Sequence, residues 1–438
     1  MIRAAPTMEN KMDDRRVILD HGARIANGNG DRDVMEDEDD DSTSSDIGDG
    51  EEGEEEEEEE DIKEEDKDDD NRYIQEEVFP LKDEIVVFLR NISAKHRRSK
   101  RLFRTVNCPG TNRTISFKYG IQDKEADVLV FSKSCSKREW HLLRENRDPR
   151  QIWLYTTAES AYTFRTSLEV QEEGLHFNMT FGYHFNSDVY APFGAYVPFE
   201  DTNDAIDVDV WAGKPLDAFP VAWASSHCTH GYWNRTGFVY FLSKYMDVQM
   251  YGTCGNMKIP RNETGYSVLK QHKFYLAFEN SCCSGYITEK FWMALADYQA
   301  VPIVIGAKYS EYKRLAPPNS FVHADEFKSA EDLASFIKEV GENPDLYNKY
   351  HEWRKYGKVE VYTNRKVYPY QDNESACVLL DYLETNARRN KPMIAKIDPF
   401  GPDWIGGCKA CGVNKWIQNF GLSSFAFLNG EQTSIVNK

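Results

Sequence analysis

Phe274-Tyr275-Leu276-Ala277-Phe278-Glu279-Asn280-Ser281 leads, after Cys282-Cys283-Ser284, into Gly285-Tyr286-Ile287-Thr288-Glu289-Lys290-Phe291-Trp292 and then Val301-Pro302-Ile303-Val304-Ile305-Gly306. Five apolar residues, a polar cluster, a helical segment from Ile287 to Tyr298 and a second apolar run read as strand, turn, helix, strand. Unbroken apolar runs of this length suit parallel strands covered on both faces, which makes the fold class α/β. In open α/β sheets, ligands bind in the crevice at the carboxyl ends of the strands, where Glu279 and Asn280 stand. Thr288 is placed to cap the helix, whose N-terminus would then attract a phosphate. Lys290 adds positive charge beside it, an arrangement suited to a departing diphosphate whose negative charge grows in the transition state. An ordinary strand-turn-helix with a Glu/Lys surface pair satisfies the same pattern, and the residue types alone do not separate the two readings.

Outward from this stretch the same rhythm recurs. Ile85 to Leu89, Val128 to Phe131 and Ile152 to Tyr155 read as buried strands, with a polar helix expected over Lys137 to Arg150. A Pro-containing region, Pro192 to Pro220, separates this half from the next. Then come expected strands at Phe219 to Ala224 and Val248 to Tyr251, and helices over Gly237 to Tyr245 and Glu331 to Val340. The pattern gives two α/β halves around a cleft, with no internal repeat.

The formal net charge of -20 is concentrated in one place. Glu36 to Asp70 holds 24 acidic residues against Lys63 and Lys67, so the rest of the chain is close to neutral. That segment has almost nothing to bury and repels itself, which predicts a disordered, solubilising linker. Without a compensating basic surface, nucleic-acid binding is disfavoured. No run of about 18 apolar residues marks a transmembrane helix, and no apolar core follows a charged N-terminus as in a signal peptide. Six sequons, starting at Asn91, Asn112, Asn178, Asn234, Asn262 and Asn373, point instead to a secreted or lumenal environment. Nine cysteines suit a larger lumenal enzyme with a few bridges. The conflict resolves most simply through an N-terminal anchor that is missing or atypical.

The segments 274–281, 286–290 and 301–306 closely resemble the signature of the α1,3/4-fucosyltransferase family. The resemblance continues through Ser320-Phe321-Val322, Leu333-Ala334 and Tyr350-His351-Glu352-Trp353-Arg354. Upstream it runs more weakly through Phe177-Asn178-Met179-Thr180 and Asn186-Ser187-Asp188 to Pro192-Phe193-Gly194. It implies a GT-B fold, two Rossmann-like domains facing a cleft, and inverting transfer of L-fucose from GDP-fucose to a glycan or glycoprotein acceptor. On this reading, residues 1–72 form the acidic disordered segment and 73–205 the acceptor-side domain. Residues 206–372 form the GDP-fucose-binding domain, and 373–438, with its Cys-x-x-Cys, packs back.

By the same resemblance Tyr286, Glu289 and Lys290 contact the nucleotide sugar, with Glu279 and Asn280 beside them. Arg235 is the best match for a family arginine, and a guanidinium can grip a diphosphate bidentately. Its neighbour Asn234 is a sequon asparagine, so either that residue is unmodified or Arg235 is not the ligand. Glu159 matches the proposed base that removes the acceptor proton, although Glu159-Ser160-Ala161 replaces the family's Glu-Ser-Pro. His184-Phe185 stands where many members have two arginines, and Ala294 and Gln299 replace a common asparagine and glycine. Asp207-Val208-Asp209 reads as surface rather than as a metal-binding Asp-x-Asp, so no metal is required, though a divalent cation can assist diphosphate release. Cys408-x-x-Cys411 lacks a second pair for zinc; the resemblance suggests disulfides tying the C-terminus to the first domain, and Cys228 pairs with Cys254. The family implies the Golgi lumen, with membrane attachment through an anchor not visible in this chain. The expected activity is α1,3-fucosylation of GlcNAc on glycoproteins. The alternatives are protein O-fucosylation or a catalytically silent relative that binds GDP-sugar or glycan. A chaperone-like acidic protein rests on residues 36–70 alone.

Overall fold

The apolar runs form two parallel sheets. The computed structural model describes residues 81–90, 103–119, 121–132, 137–164, 177–200, 209–215, 221–228, 232–258, 264–362, 368–388, 393–396, 398–399, 404 and 406–420. The acidic stretch, the expected onset of order before residue 81, Cys135, Asp207 and the sequons at Asn91 and Asn262 lie outside these residues. The first half contributes β1 (Glu84–Arg90), β2 (Thr105–Asn107), β3 (Thr114–Lys118), β4 (Val128–Phe131), β5 (Ile152–Thr157), β6 (Met179–Gly182) and β7 (Val189–Tyr190). They form one seven-stranded sheet in the order β2-β3-β1-β4-β5-β6-β7, parallel except for β2 against β3. After β8 (Gly194–Pro198), the second half builds a five-stranded parallel sheet. Its strands are β9 (Val221–Ala224), β10 (Val248–Tyr251), β11 (Phe274–Phe278), β13 (Val301–Ile305) and β14 (Val322–His323), in the order β10-β9-β11-β13-β14. Every residue of β4, β5, β11 and β13 is buried, as strands covered on both faces require.

The helix boundaries have local causes. The helix expected from Gly237 starts at Arg235, because the Asn234 carboxamide oxygen accepts the Gly237 amide and caps it, and it runs to Leu242. The helix expected over Ile287 to Tyr298 spans Glu289–Ala296. Gln299, in the turn after it, has φ of 49°, a left-handed conformation that glycine adopts without steric penalty. The substitution there is therefore a matter of backbone conformation rather than packing.

One core joins the halves, running from Trp140 and Trp153 through Tyr155 and Tyr183 to Tyr286, Phe291 and Trp292. The chain also crosses between them twice. β15 (Gly357–Val361), which lies after the second sheet in the chain, pairs antiparallel with β8, which lies after the first. This ribbon lies under the helix Glu289–Ala296: a Cβ placed on Gly194 would sit 2.4 Å from the Trp292 ring. The helix Asn373–Arg388 returns to the first sheet, burying Leu379, Leu380 and Leu383 against Ile85, Val87 and Ile115. Cys108–Cys377 fastens it there, and Cys228–Cys254 closes the loop after β9.

Cys408 and Cys411 do not reach the first sheet as expected. β16 (Cys408–Lys409) pairs antiparallel with β12 (Cys282–Cys283), and that register brings both pairs together as Cys283–Cys408 and Cys282–Cys411. The C-terminal motif thus grips the loop between β11 and the helix Glu289–Ala296. Among the described residues no helix is long and apolar enough to cross a membrane.

Candidate active site

At the carboxyl end of β11 the chain turns polar, and Glu279 is the centre of the hydrogen-bond network there. Its side chain is fully buried. One carboxylate oxygen accepts the Thr288 amide at 2.7 Å; the other accepts the Thr288 hydroxyl at 2.9 Å and the Lys290 ammonium at 3.2 Å. Thr288 stands at the N-cap position of the helix, but its hydroxyl serves Glu279 instead of capping. Lys290 is also bonded to the Thr288 hydroxyl at 2.8 Å and to Glu289 at 3.3 Å. Burial pushes the Glu279 carboxyl above its usual range, opposed by the Lys290 charge. Burial pulls the Lys290 ammonium down, yet Glu279 and Glu289 outweigh it and hold the group above its ordinary value. The result is an ion pair closed on the protein itself, with Lys290 about a quarter exposed.

Arg235 comes from the first turn of its helix and is buried beneath the strand ends. Its guanidinium donates to the Phe278 carbonyl at 2.9 Å and the Ser225 hydroxyl at 3.1 Å, while Nε has no partner. Asn234 is exposed at the cap, whereas the Arg235 guanidinium beside it is buried. Asn280 accepts the Tyr232 amide at its carbonyl and the Ser281 hydroxyl at its side chain. Gly306 lies flush against Glu279, whose Cγ would be 2.9 Å from an added Cβ. The buried Tyr312 hydroxyl, 3.1 Å from the same point, has no partner.

The other wall comes from the first half. Glu159 is exposed just beyond β5, its amide bonded to the Thr157 hydroxyl at 3.0 Å. Tyr286 is buried, its ring packed against that of Tyr183 with centroids 5.2 Å apart. Burial raises the Tyr286 hydroxyl well above its usual value, helped by the charges of Glu279 and Glu159, so it remains a neutral donor. Glu159 and Glu279 both act on Tyr183 as well. Tyr162 stacks on Tyr232 at 4.8 Å, and Arg314 lies 3.5 Å over the Phe185 ring. An arginine of the second half therefore meets the position where His184-Phe185 departs from the family pattern. Asp188 is buried, accepting bonds from Thr180, Tyr382 and Lys396, and works as a brace.

The structure thus gathers Arg235, Glu279, Asn280, Tyr286, Glu289 and Lys290 at one sheet edge, with Glu159 facing them. Tyr183, Tyr312 and Trp404 belong to the same walls and carry no signal in the sequence. Four buried polar atoms without partners line this region: Ser160 Oγ, Arg235 Nε, Tyr312 Oη and Trp404 Nε1. Each such group costs about 1–3 kcal/mol unless something hydrogen-bonds to it. Their concentration here suits a polar ligand. Asp209 is a surface residue, bonded to Asn348. Among the described residues no group of three or more His, Cys, Asp or Glu could hold a metal ion. The Asn178 side chain is committed to Arg147, Trp153 and Met393, whereas Asn112 and Asn373 are exposed.

Two family models match: "Fucosyltransferase, N-terminal" over residues 81–194 and "Glycosyltransferase family 10 (fucosyltransferase) C-term" over 217–398. "Alpha-(1,3)-fucosyltransferase C" of Drosophila melanogaster is 33% identical over 251 residues, 52% of this chain and 56% of that protein. "Glycoprotein 3-alpha-L-fucosyltransferase A" of the same organism is 36% identical over 184 residues, 40% of this chain and 35% of that protein. Human "4-galactosyl-N-acetylglucosaminide 3-alpha-L-fucosyltransferase FUT5" is 34% identical over 212 residues, 48% and 53% respectively. The chain spans about half the length, or less, of these curated relatives. A solved α1,3-fucosyltransferase with GDP-fucose aligns at a TM-score of 0.43 and 15% identity, covering 69% of this chain and 91% of that one. That likeness is too loose to assign any residue a role.

Proposed function

The chain belongs to glycosyltransferase family 10, the fucosyltransferases, and from that premise we propose that it transfers L-fucose from GDP-fucose to GlcNAc of glycoprotein glycans. The linkage formed is α1,3, made by a single inverting displacement in a GT-B arrangement. The observation that carries this reading is the juxtaposition of the Glu279-Thr288-Lys290 network and Arg235 at the strand ends with Glu159 across the cleft.

In this mechanism the diphosphate lies over the N-terminus of the helix Glu289–Ala296, in reach of Lys290 and the free Nε of Arg235. As the C1–O bond of fucose breaks, negative charge grows on the phosphate, and the cations beside it stabilise that charge. Lys290 must turn partly from Glu279 and Glu289, which keep it charged and ready. Glu159 takes the proton from the acceptor hydroxyl as that oxygen attacks C1 from the opposite face. Tyr286 and Asn280 orient the sugar. No residue is assigned to a metal; a divalent cation would act on the leaving diphosphate. Four disulfides among the described residues and the exposed sequons support action in an oxidising lumen, the Golgi on this reading.

Incubation of the purified protein with GDP-fucose and a panel of core and outer GlcNAc acceptors tests the proposal, with the linkage read by NMR. Fucose in α1,3-linkage to GlcNAc is expected. GDP binding without transfer to any acceptor would establish a silent relative instead.

A further inference from the structure

Trp404, from the C-terminal segment, packs among the rings beside the candidate site. It is 5% exposed, and its indole nitrogen has no hydrogen-bond partner. The ring lies 6.0 Å from Tyr155, 5.6 Å from Tyr183 and 5.2 Å from His184. Tyr155 belongs to β5, the strand that leads to Glu159, and Tyr183 packs against Tyr286. The indole therefore stands in the wall between Glu159 and the loop 279–290. Four residues later Cys408 is bound to Cys283, and Cys411 to Cys282, so the indole stands just ahead of the bridges that tether that loop.

Packing alone does not account for an indole here, since an apolar ring would fill the wall without leaving a buried N–H unpaired. An indole nitrogen only donates, so its partner must offer an oxygen. We propose that the Trp404 N–H is a specificity-determining donor that bonds a hydroxyl or carbonyl oxygen of the acceptor sugar held between Glu159 and Tyr286. This inference rests on the fucosyltransferase reading of the cleft.

Trp404→Phe keeps a packed ring and removes the donor. The KM for the acceptor should rise by a factor of about 3–10, the worth of one net hydrogen bond. The KM for GDP-fucose should not change. Benzothienylalanine at position 404 keeps the bicyclic shape and removes only the N–H, so it must reproduce the effect even if the phenylalanine variant folds poorly. Unchanged acceptor KM in the benzothienylalanine protein overturns the assignment, as do donor and acceptor KM rising together. If the unaltered protein transfers fucose to nothing, the functional reading fails, and this inference with it.

Discussion

Glu279→Gln tests whether the buried carboxylate organises the donor side. The glutamine fits the same space, but it presents one accepting oxygen and one donating amide where three donors converge: the Thr288 amide, the Thr288 hydroxyl and the Lys290 ammonium. At least one donor then faces an N–H. Removing one member of a buried ion pair costs about 3–5 kcal/mol. Lys290 is partly exposed and retains Glu289 at 3.3 Å, so the lower end, about 3 kcal/mol, applies. That corresponds to a fall in Tm of roughly 5–10 °C, measured by thermal unfolding. Lys290, left with Glu289 and the Thr288 hydroxyl, should also bind diphosphate more weakly, so the Kd for GDP in calorimetric titration should rise about tenfold or more. Thr288→Val removes the hydroxyl's bond to Glu279 and the Lys290 bond to the hydroxyl, and should cost about 2 kcal/mol. A Glu279→Gln protein with unchanged Tm and GDP affinity would refute the reasoning, because a carboxylate with three converging donors cannot be neutral to lose.

Three further outcomes are expected from the same geometry. Glu159→Gln should lower kcat by about 10²-fold or more while leaving GDP affinity intact, since the residue stands beyond β5 rather than on the helix that bears Lys290; full activity in steady-state assays would move the base elsewhere. Gly194→Ala puts a methyl 2.4 Å from the Trp292 ring and 2.8 Å from the Glu360 carbonyl, overpacking that should cost about 1–3 kcal/mol. It should also raise the KM for GDP-fucose by displacing the helix that bears Lys290; unchanged Tm and KM would show that the ribbon does not position it. Burial, aided by Arg354 and Lys270, lowers the Lys214 ammonium to about 7 while its Nζ faces two carbonyls. The unfolded chain then binds more protons between pH 7 and the ordinary lysine value, so stability rises with pH there, by up to about 2 kcal/mol from pH 7 to 9. Urea unfolding of Lys214→Met should lose that rise; if its slope with pH matches the unaltered protein, Lys214 is not the titrating group.

The parts of the fold that write themselves into local sequence were readable. Val128–Phe131, Ile152–Tyr155, Phe274–Phe278 and Val301–Ile305 are buried on both faces, so they appear as short apolar runs. Helix starts were less legible, because side chains chose unexpected partners: Asn234 begins one helix two residues early, and Thr288 spends its hydroxyl on Glu279. At the carboxyl end of Phe274–Phe278, the residues the structure gathers stand mostly in one contiguous stretch and could be named together. The opposite wall assembles Tyr183, Trp404 and Tyr162 from distant segments, and no spacing rule connects them. The pairing of Cys408 and Cys411 depends on a two-residue strand match, far below what periodicity can reveal.

The twin bridges of the loop 279–290 also constrain how the molecule is made. Cys282 and Cys283 are separated from their partners by 129 and 125 residues. At about 5–20 residues per second, their thiols wait on the order of ten seconds or longer on the ribosome before a correct partner exists. During that time Cys228 and Cys254, only 26 apart, can already have closed on each other, removing the nearest wrong partners from competition. The loop 279–290 is thus among the last parts of the chain to be locked: a nascent chain that has not delivered residues 408–411 cannot staple it.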